Sequence, residues 1–287
     1  MNSSKDTHEF EAIKKNRHVE VEYPPELLAP IQRNTQAWSD LCALSPEIKQ
    51  KLRFVEDPRY LDGEGYELKT TPGDNLDLKE NFHFTLSAYE RLAESAKAHP
   101  VLQEFIESSR SLIESSAERI VAFASELEIS GNMPGLADEV ASGKNRWILR
   151  NLHYFPGHDQ DIVAGAHTDK AGFTLHLFED KPGLEFYDGV NWQPFPTGPG
   201  HTVILPDIQM QYRSGGLIEA TWHRVVANAD VKAQGRKSAV MFIPFHKTPY
   251  FDKVRFGRQQ DLPLGFNYGM PFEKFREMFR DSPFQEG

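Results

Sequence analysis

The sequence predicts an α+β protein with a helical first half, a β core beginning near residue 145 and a helix at its end. Three observations carry this reading. Apolar residues recur at helical spacing in two long stretches before residue 130. From residue 145 the period shortens, and Gly, Pro, Asn and Asp clusters separate short apolar runs. A helical pattern returns over residues 264–280, around Phe272, Phe275, Met278 and Phe279.

The opening residues are polar and end in the alternating run Val19-Glu20-Val21-Glu22-Tyr23, a strand signal closed by Pro24-Pro25. The densest basic run, Lys14, Lys15, Arg17 and His18, reads as a solvated helix face. Residues 26–53 read as helical through Leu27, Leu28, Ile31, Trp38, Leu41, Leu44, Ile48 and Leu52. Within them Ser45 is a candidate N-cap, with Pro46 at the first helical position. Residues 55–80 are loop-rich, and Asp77 to Phe84 reads as a short strand. The longest helical stretch covers 86–130; Pro100 restarts it, and Gly131 and Pro134 end it. Strands are then expected at Trp147–Leu149, Phe173–Leu177, Leu184–Tyr187, Thr202–Leu205, Val225-Val226 and Ala239–Ile243. Turn clusters such as Lys181-Pro182-Gly183 lie between them. Short strands at near-regular spacing suggest a sandwich or barrel.

The 287 residues, 39% hydrophobic and 26% charged, have the composition of an ordinary soluble globular protein. The single cysteine, Cys42, excludes an internal disulfide and is expected to pack as a small apolar side chain. No apolar run follows a basic patch near the start, and no stretch is long and apolar enough for a span. The expected location is cytoplasmic. A net charge of −10 with scattered basic residues argues against a nucleic-acid partner. A Gly-x-Ser-x-Gly turn and a phosphate-binding glycine loop are both absent, and one cysteine cannot build a thiolate zinc site.

The informative chemistry begins at His167-Thr168-Asp169. Two residues apart on a strand, His167 and Asp169 would point to one face. A further histidine from another strand would complete a two-His, one-carboxylate face, which leaves coordination positions open and suits Fe(II) oxygenases. The spacing alone is weak, since His18 and Glu20 repeat it. Context strengthens it. Small residues surround the motif at Ala164-Gly165-Ala166 and Gly172, allowing close backbone approach. His223 lies in the strand-like run Trp222-His223-Arg224-Val225-Val226. Downstream, Arg236 and Ser238 share one face of a strand, where a guanidinium and a hydroxyl can hold a carboxylate.

These motifs together resemble the isopenicillin-N-synthase-like family of iron- and 2-oxoglutarate-dependent oxygenases. His167-Thr168-Asp169 with Thr174-Leu175 is similar to the family's first iron motif, and His223-Arg224-Val225-Val226 to its distal histidine motif. Arg236-x-Ser238 resembles the co-substrate motif, and Leu149-Arg150 with Tyr154 and Pro156 the strand whose tyrosine meets the co-substrate. Gly183-Leu184, Trp192 and Pro199-Gly200 fit the intervening segment. Ser45–Lys49, Gly65-Tyr66 and Asp77–Glu80 resemble the N-terminal region. The resemblance implies a double-stranded β-helix (jelly-roll) core over 145–263, with the helical region 1–144 packed on it and a C-terminal helix in 264–287, forming one catalytic unit. It implies Fe(II) held by His167, Asp169 and His223, and 2-oxoglutarate held by Arg236 and Ser238 with Tyr154. O2 would be a reactant and ascorbate an accessory reductant. The implied reaction couples decarboxylation of 2-oxoglutarate to oxidation of a small organic substrate. Presence of the carboxylate ligand argues for hydroxylation, desaturation or ring closure rather than halogenation.

The sequence departs from the family pattern in three places. Pro206-Asp207 stands where Gly-Asp is usual, the glycine after the iron motif is shifted to Gly172, and Leu152 replaces an asparagine of plant members. Lys170, Tyr212, Arg213 and Phe245, with His246 beside it, are candidate substrate-pocket residues. His176 and His153 are expected to be hydrogen-bonded structural histidines, His201 exposed, and Arg224 an ion-pair residue. The alternatives are an iron oxidase of the same fold that does not use 2-oxoglutarate, and a non-catalytic jelly-roll sensor.

Overall fold

The computed structural model describes residues 8–56, 63–69, 78–157, 161–195 and 200–246. The helix expected within 264–287 lies outside these residues.

The first half is mostly helical. Helix α1 (His8–Asn16) buries Phe10 and Ile13 and leaves Lys14 and Lys15 in solvent, but Arg17 pairs with Glu219 and His18 packs on Phe186 and Phe195, so only the lysines of the basic run form a solvated face. Strand β1 (Val19–Glu22) alternates buried and exposed residues. Helix α2 (Pro25–Cys42) starts with proline in its first turn, where the missing N–H costs nothing. A short α3 (Pro46–Lys49) follows Ser45, whose side chain makes no capping bond. A hairpin of β2 (Gly65–Lys69) and β3 (Lys79–Phe84) comes next. Helices α4 (Tyr89–Ala96), α5 (Pro100–Ser130) and α6 (Leu136–Ser142) complete this half.

The second half supplies β4 (Ile148–Tyr154), β5 (Ile162–His167), β6 (Phe173–Glu179), β7 (Leu184–Tyr187), β8 (Trp192–Pro194) and β9 (His201–Pro206). Then follow α7 (Ile208–Arg213), β10 (His223–Val226), α8 (Ala229–Gln234) and β11 (Arg236–Ile243). The strands form two antiparallel sheets. The larger has the order β1-β9-β6-β11-β4-β3-β2, and the smaller β5-β10-β7-β8, with β5 outermost. From β4 to β11 the chain crosses repeatedly between the two sheets, which is the winding of a double-stranded β-helix.

Two cores result. One lies between the larger sheet and the helices, where Trp38, Phe82, Phe105, Phe123 and Phe173 are almost completely buried. Each such side chain contributes about 1.5–3 kcal/mol. The second lies between the sheets and includes Leu152, Val163, Leu184, Val203 and Val225. Polar contacts fix the helices on β4. Trp38 Nε1 donates to the Leu152 carbonyl at 3.1 Å. Asn34 donates to Ser109 Oγ on α5 at 3.0 Å and accepts from Asn151 on β4 at 2.9 Å. Strand β4 is thereby held rigidly, and its other face is turned to the space between the sheets. No helix among the described residues is long and apolar enough to cross a membrane.

Candidate metal centre

Strand β5 stops at His167, and Asp169 sits in the turn beyond it. The expectation that both lie on a strand is therefore corrected. The Asp169 carbonyl instead accepts from Ile208 N at 3.1 Å, which anchors the turn to the start of α7. His223, the first residue of β10, pairs directly with His167 across the smaller sheet. This register brings three ligand atoms together: His167 Nε2 is 3.8 Å from Asp169 Oδ1, and His223 Nε2 is 3.7 Å from Asp169 Oδ2. The two imidazole centroids are 4.3 Å apart.

The tautomers suit a metal. His167 Nδ1 lies 2.7 Å from the Gly165 carbonyl, and His223 Nδ1 lies 3.1 Å from the Thr221 carbonyl. Each carbonyl can only accept, so each Nδ1 carries a proton and Nε2 is the nitrogen turned to the centre. Burial and the neighbouring His223 lower His167 to about 4, which keeps it neutral. Its side chain is still 47% exposed along one edge, so solvent screens part of that effect. Asp169 is held below its usual range: burial works against its charge, but His223, His167 and the Thr174 hydrogen bond outweigh it. Two imidazole Nε2 atoms and an ionised carboxylate are the donor set that Fe(II) takes.

Behind the carboxylate is a relay. The Thr174 hydroxyl lies 2.9 Å from Asp169 Oδ2 and 2.9 Å from Asp207 Oδ2. It has one proton to give. With Asp169 ionised, the second contact requires a proton on Asp207, and burial beside Asp169 raises Asp207 well above the carboxylate range. One other metal-like set, Cys42, Glu80 and His153, gathers among the described residues. Its place is filled: Lys49 Nζ and Tyr66 OH each lie 2.7 Å from Glu80 Oε2. Burial opposes the Glu80 charge, but bonds from His153, Lys49 and Tyr66 hold it at about 2.

The centre opens into a cavity of about 520 Å³ between the sheets. Arg236 and Ser238 line it from β11, Tyr154 and Leu152 from β4, and Lys170 from the turn. Arg236 is 2% exposed. Its Nε donates to the Lys181 carbonyl at 3.0 Å, one terminal nitrogen donates to Ser238 Oγ at 3.1 Å, and the other pairs with Glu179. His176 also lines the cavity, against the expectation of a hydrogen-bonded structural role. Burial lowers it to about 4, and its buried Nε2 makes no hydrogen bond. This orphaned atom beside Arg236 and Ser238 fits a cavity built to receive a polar ligand such as a dicarboxylate.

Tyr212, Arg213 and Phe245 do not line this cavity, which corrects three pocket candidates. Helix α7 is buried on every residue, so Tyr212 is fully enclosed. Arg213 faces away, 3.5 Å from Glu139 and donating to the Pro134 carbonyl at 2.8 Å. Phe245 packs over Gly172, where a Cβ would stand 2.2 Å from its ring. His246 packs by Gly143 and lies 3.1 Å from Arg146. His153 bonds Glu80 at 2.8 Å, His201 is exposed, and Arg224 pairs with Glu185 at 2.7 Å. Sequence reasoning missed Lys69, Lys79, Arg150 and Glu179. Strand alternation could have found Arg150, which shares the face of Leu152 and Tyr154.

The family model of the 2OG-Fe(II) oxygenase superfamily matches residues 148–244, the segment from β4 to the end of β11. Among curated relatives, "Probable flavonol synthase 6" of Arabidopsis thaliana is 26% identical over 102 residues, 36% of this chain and 35% of that protein. The chain thus matches about a third of this relative's length. Among solved structures, Neurospora crassa T7H in complex with alpha-KG superposes with a TM-score of 0.70 at 16% identity, covering 95% of this chain and 89% of that one. A 2OG-Fe(II) oxygenase family protein of Caulobacter crescentus gives a TM-score of 0.68 at 22% identity, covering 95% and 92%. These likenesses establish the shared fold, and the family match falls on the strands that carry the triad and Arg236. Over that core, residues 148–244, the chain matches the 2OG-Fe(II) oxygenase superfamily.

Proposed function

We propose that the protein is an Fe(II)- and 2-oxoglutarate-dependent dioxygenase that oxidises a small organic molecule by hydroxylation, desaturation or ring closure. The observation that carries this reading is the convergence of His167 Nε2, Asp169 and His223 Nε2 in the same cavity as Arg236 and Ser238. Iron with 2-oxoglutarate and O2 would supply the oxidising power: the co-substrate leaves as succinate and CO2, with one oxygen atom in succinate and, in a hydroxylation, the other in the product. His167, Asp169 and His223 hold the metal on one side and leave the cavity side open. Arg236 and Ser238 receive the far carboxylate of the co-substrate, with Tyr154 beside them. Glu179 must yield one edge of Arg236, and the unpaired His176 Nε2 offers that carboxylate a further bond. Leu152, Leu184 and Val225 keep the inner wall apolar and limit water. No side chain beyond the metal ligands is assigned to the reaction itself, and ascorbate would serve only as a reductant. A single cysteine and a net charge of −10 agree with a cytoplasmic enzyme that has no nucleic-acid partner.

The Glu179–Arg236 pair favours one second reading, an iron oxidase of this fold that does not use 2-oxoglutarate, because the guanidinium is already neutralised. One titration separates the two. Metal-free protein is titrated anaerobically with Fe(II) and then 2-oxoglutarate, following the visible charge-transfer band of the chelate. The band is expected in the native protein, absent in His223→Ala and weakened in Arg236→Ala. Bound iron without a band would favour the oxidase, and failure to bind iron would refute both readings.

A further inference from the structure

Basic side chains other than Arg236 also line the cavity. Lys69 pairs with Lys79 across β2 and β3, Lys79 with Tyr154 across β3 and β4, and Tyr154 with Arg236 across β4 and β11. A single rung of the larger sheet therefore carries three cations. Lys79 Nζ stands 5.3 Å above the Tyr154 ring.

Arg150 adds a fourth cation from the same face of β4. Its guanidinium stacks 4.6 Å over the Phe242 ring, and its Nε donates to His83 Nε2 at 2.6 Å. Burial, and secondarily the Arg150 charge, lowers His83 well below its usual value, so this neighbour is a neutral acceptor. Stacking and hydrogen bonding together fix the guanidinium plane, which is the preorganisation a bidentate carboxylate contact needs. Lys69, Lys79 and Arg150 line both the main cavity and an adjoining recess of about 190 Å³. Among the described residues, Glu67 also lines the recess, 3.6 Å from Lys69. In a chain of net charge −10, this concentration of cations is a property of the cavity and not of the composition. Leu184, Val240, Phe242 and, in the recess, Phe54 supply apolar wall.

Resting on the dioxygenase reading, we propose that the molecule oxidised here is a small amphipathic carboxylic acid, bound through its carboxylate by Arg150 and Lys79, with Lys69 at the rim. Its apolar part would then run along the cavity wall toward the metal ligands. This subsite is separate from Arg236 and Ser238, so substrate and co-substrate occupy the cavity together.

The test uses full-length protein loaded with Mn(II) and saturating 2-oxoglutarate. It is titrated calorimetrically with straight-chain acids from butanoate to decanoate and phenyl acids from benzoate to 4-phenylbutanoate, each against its primary amide. The best acids are expected to bind about tenfold or more tighter than their amides, as a charge-assisted contact implies. Arg150→Gln and Lys79→Met should bring that ratio close to one, and the exposed Lys69→Gln should lower it less. The affinity for 2-oxoglutarate should change less than about threefold in Arg150→Gln and Lys69→Gln, since neither position pairs with Tyr154 or Arg236. Equal binding of acids and amides would overturn the proposal. So would a preference that survives in both inner variants, or acids that displace 2-oxoglutarate instead of joining it. If Mn(II) and 2-oxoglutarate themselves fail to bind, the dioxygenase reading fails, and the acid-to-amide ratio on unloaded protein still reports on the subsite.

Discussion

Replacing Thr174 with valine would test the relay behind the metal ligands. The change keeps the side-chain shape at a position only 2% exposed and opens no cavity. It removes the hydroxyl that reaches both Asp169 and Asp207 at 2.9 Å. The bond to ionised Asp169 is charge-assisted, a class that contributes about 1.5–3 kcal/mol. Asp207 would be left buried without its side-chain partner, a further cost of about 1–3 kcal/mol. Together these put the loss near ~3 kcal/mol in the metal-free protein, allowing for attraction that Asp169 retains from the two histidines. Freed from Thr174, Asp169 also loses its orientation, and loss of such an outer partner weakens metal binding about 10–100-fold. Urea unfolding of the metal-free protein and equilibrium dialysis against Mn(II) would measure the two effects. Asp207→Asn is the control: its amide N–H can replace the carboxyl proton as donor to Thr174, so both quantities should stay close to native. A Thr174→Val protein that loses less than about 1 kcal/mol and binds Mn(II) as the native one does would refute the relay.

Two further predictions follow from buried charges. His176 is 4% exposed and lowered to about 4, so the folded protein keeps it neutral while the unfolded chain takes up a proton below about 6.5. The unfolded state then binds more protons, and stability should fall with acidification from pH 6.5 toward 4, by about 1.4 kcal/mol per unit from this residue. Urea unfolding of metal-free protein across that range should show a shallower slope in His176→Leu; an unchanged slope would exclude His176 as the source. Arg213→Ala should destabilise by about 3–5 kcal/mol because it removes one partner of a buried ion pair with Glu139. Below its own melting temperature the same variant should bind Fe(II) and 2-oxoglutarate normally, and a selective loss of co-substrate affinity would return Arg213 to the pocket.

The parts of the fold legible in the sequence are those whose side chains announce their period. Strands β6, β7 and β9 carry runs of apolar residues between turn residues, and α5 carries a long apolar stripe after Pro100. Strand β5 escaped because its centre is Ala-Gly-Ala, which carries no β-branched or aromatic signal. Helix α6 escaped because it is seven residues long and follows a turn-rich stretch. The three ligand residues were legible by type and spacing, but the geometry that unites them was not. That geometry rests on the pairing of His223 with His167, and register between distant strands is not written locally. The Lys69–Lys79–Tyr154–Arg236 rung and the Glu179–Arg236 pair were hidden for the same reason. Tyr212 and Arg213 misled because a polar-looking run before Ser214-Gly215-Gly216 resembles an exposed loop, whereas α7 is packed on all sides.

Among the described residues, strand β5 is the outermost strand of the smaller sheet, and its neighbour is β10. Their ladder is irregular, with register shifts on either side of Val225. His167 and His223 sit at its end, so a metal ion held by both would act as a rivet between a weakly laddered edge and the rest of the sheet. Withdrawal of the ion would release that rivet and let the edge fray, baring unpaired amides beside the exposed side chain of Ile162. An opened edge of this kind is a template for strand-to-strand association between molecules. Metal loss would then be felt as faster amide hydrogen exchange along β5 and as a tendency to aggregate, so the ion that equips the site for chemistry would also guard the solubility of the sheet.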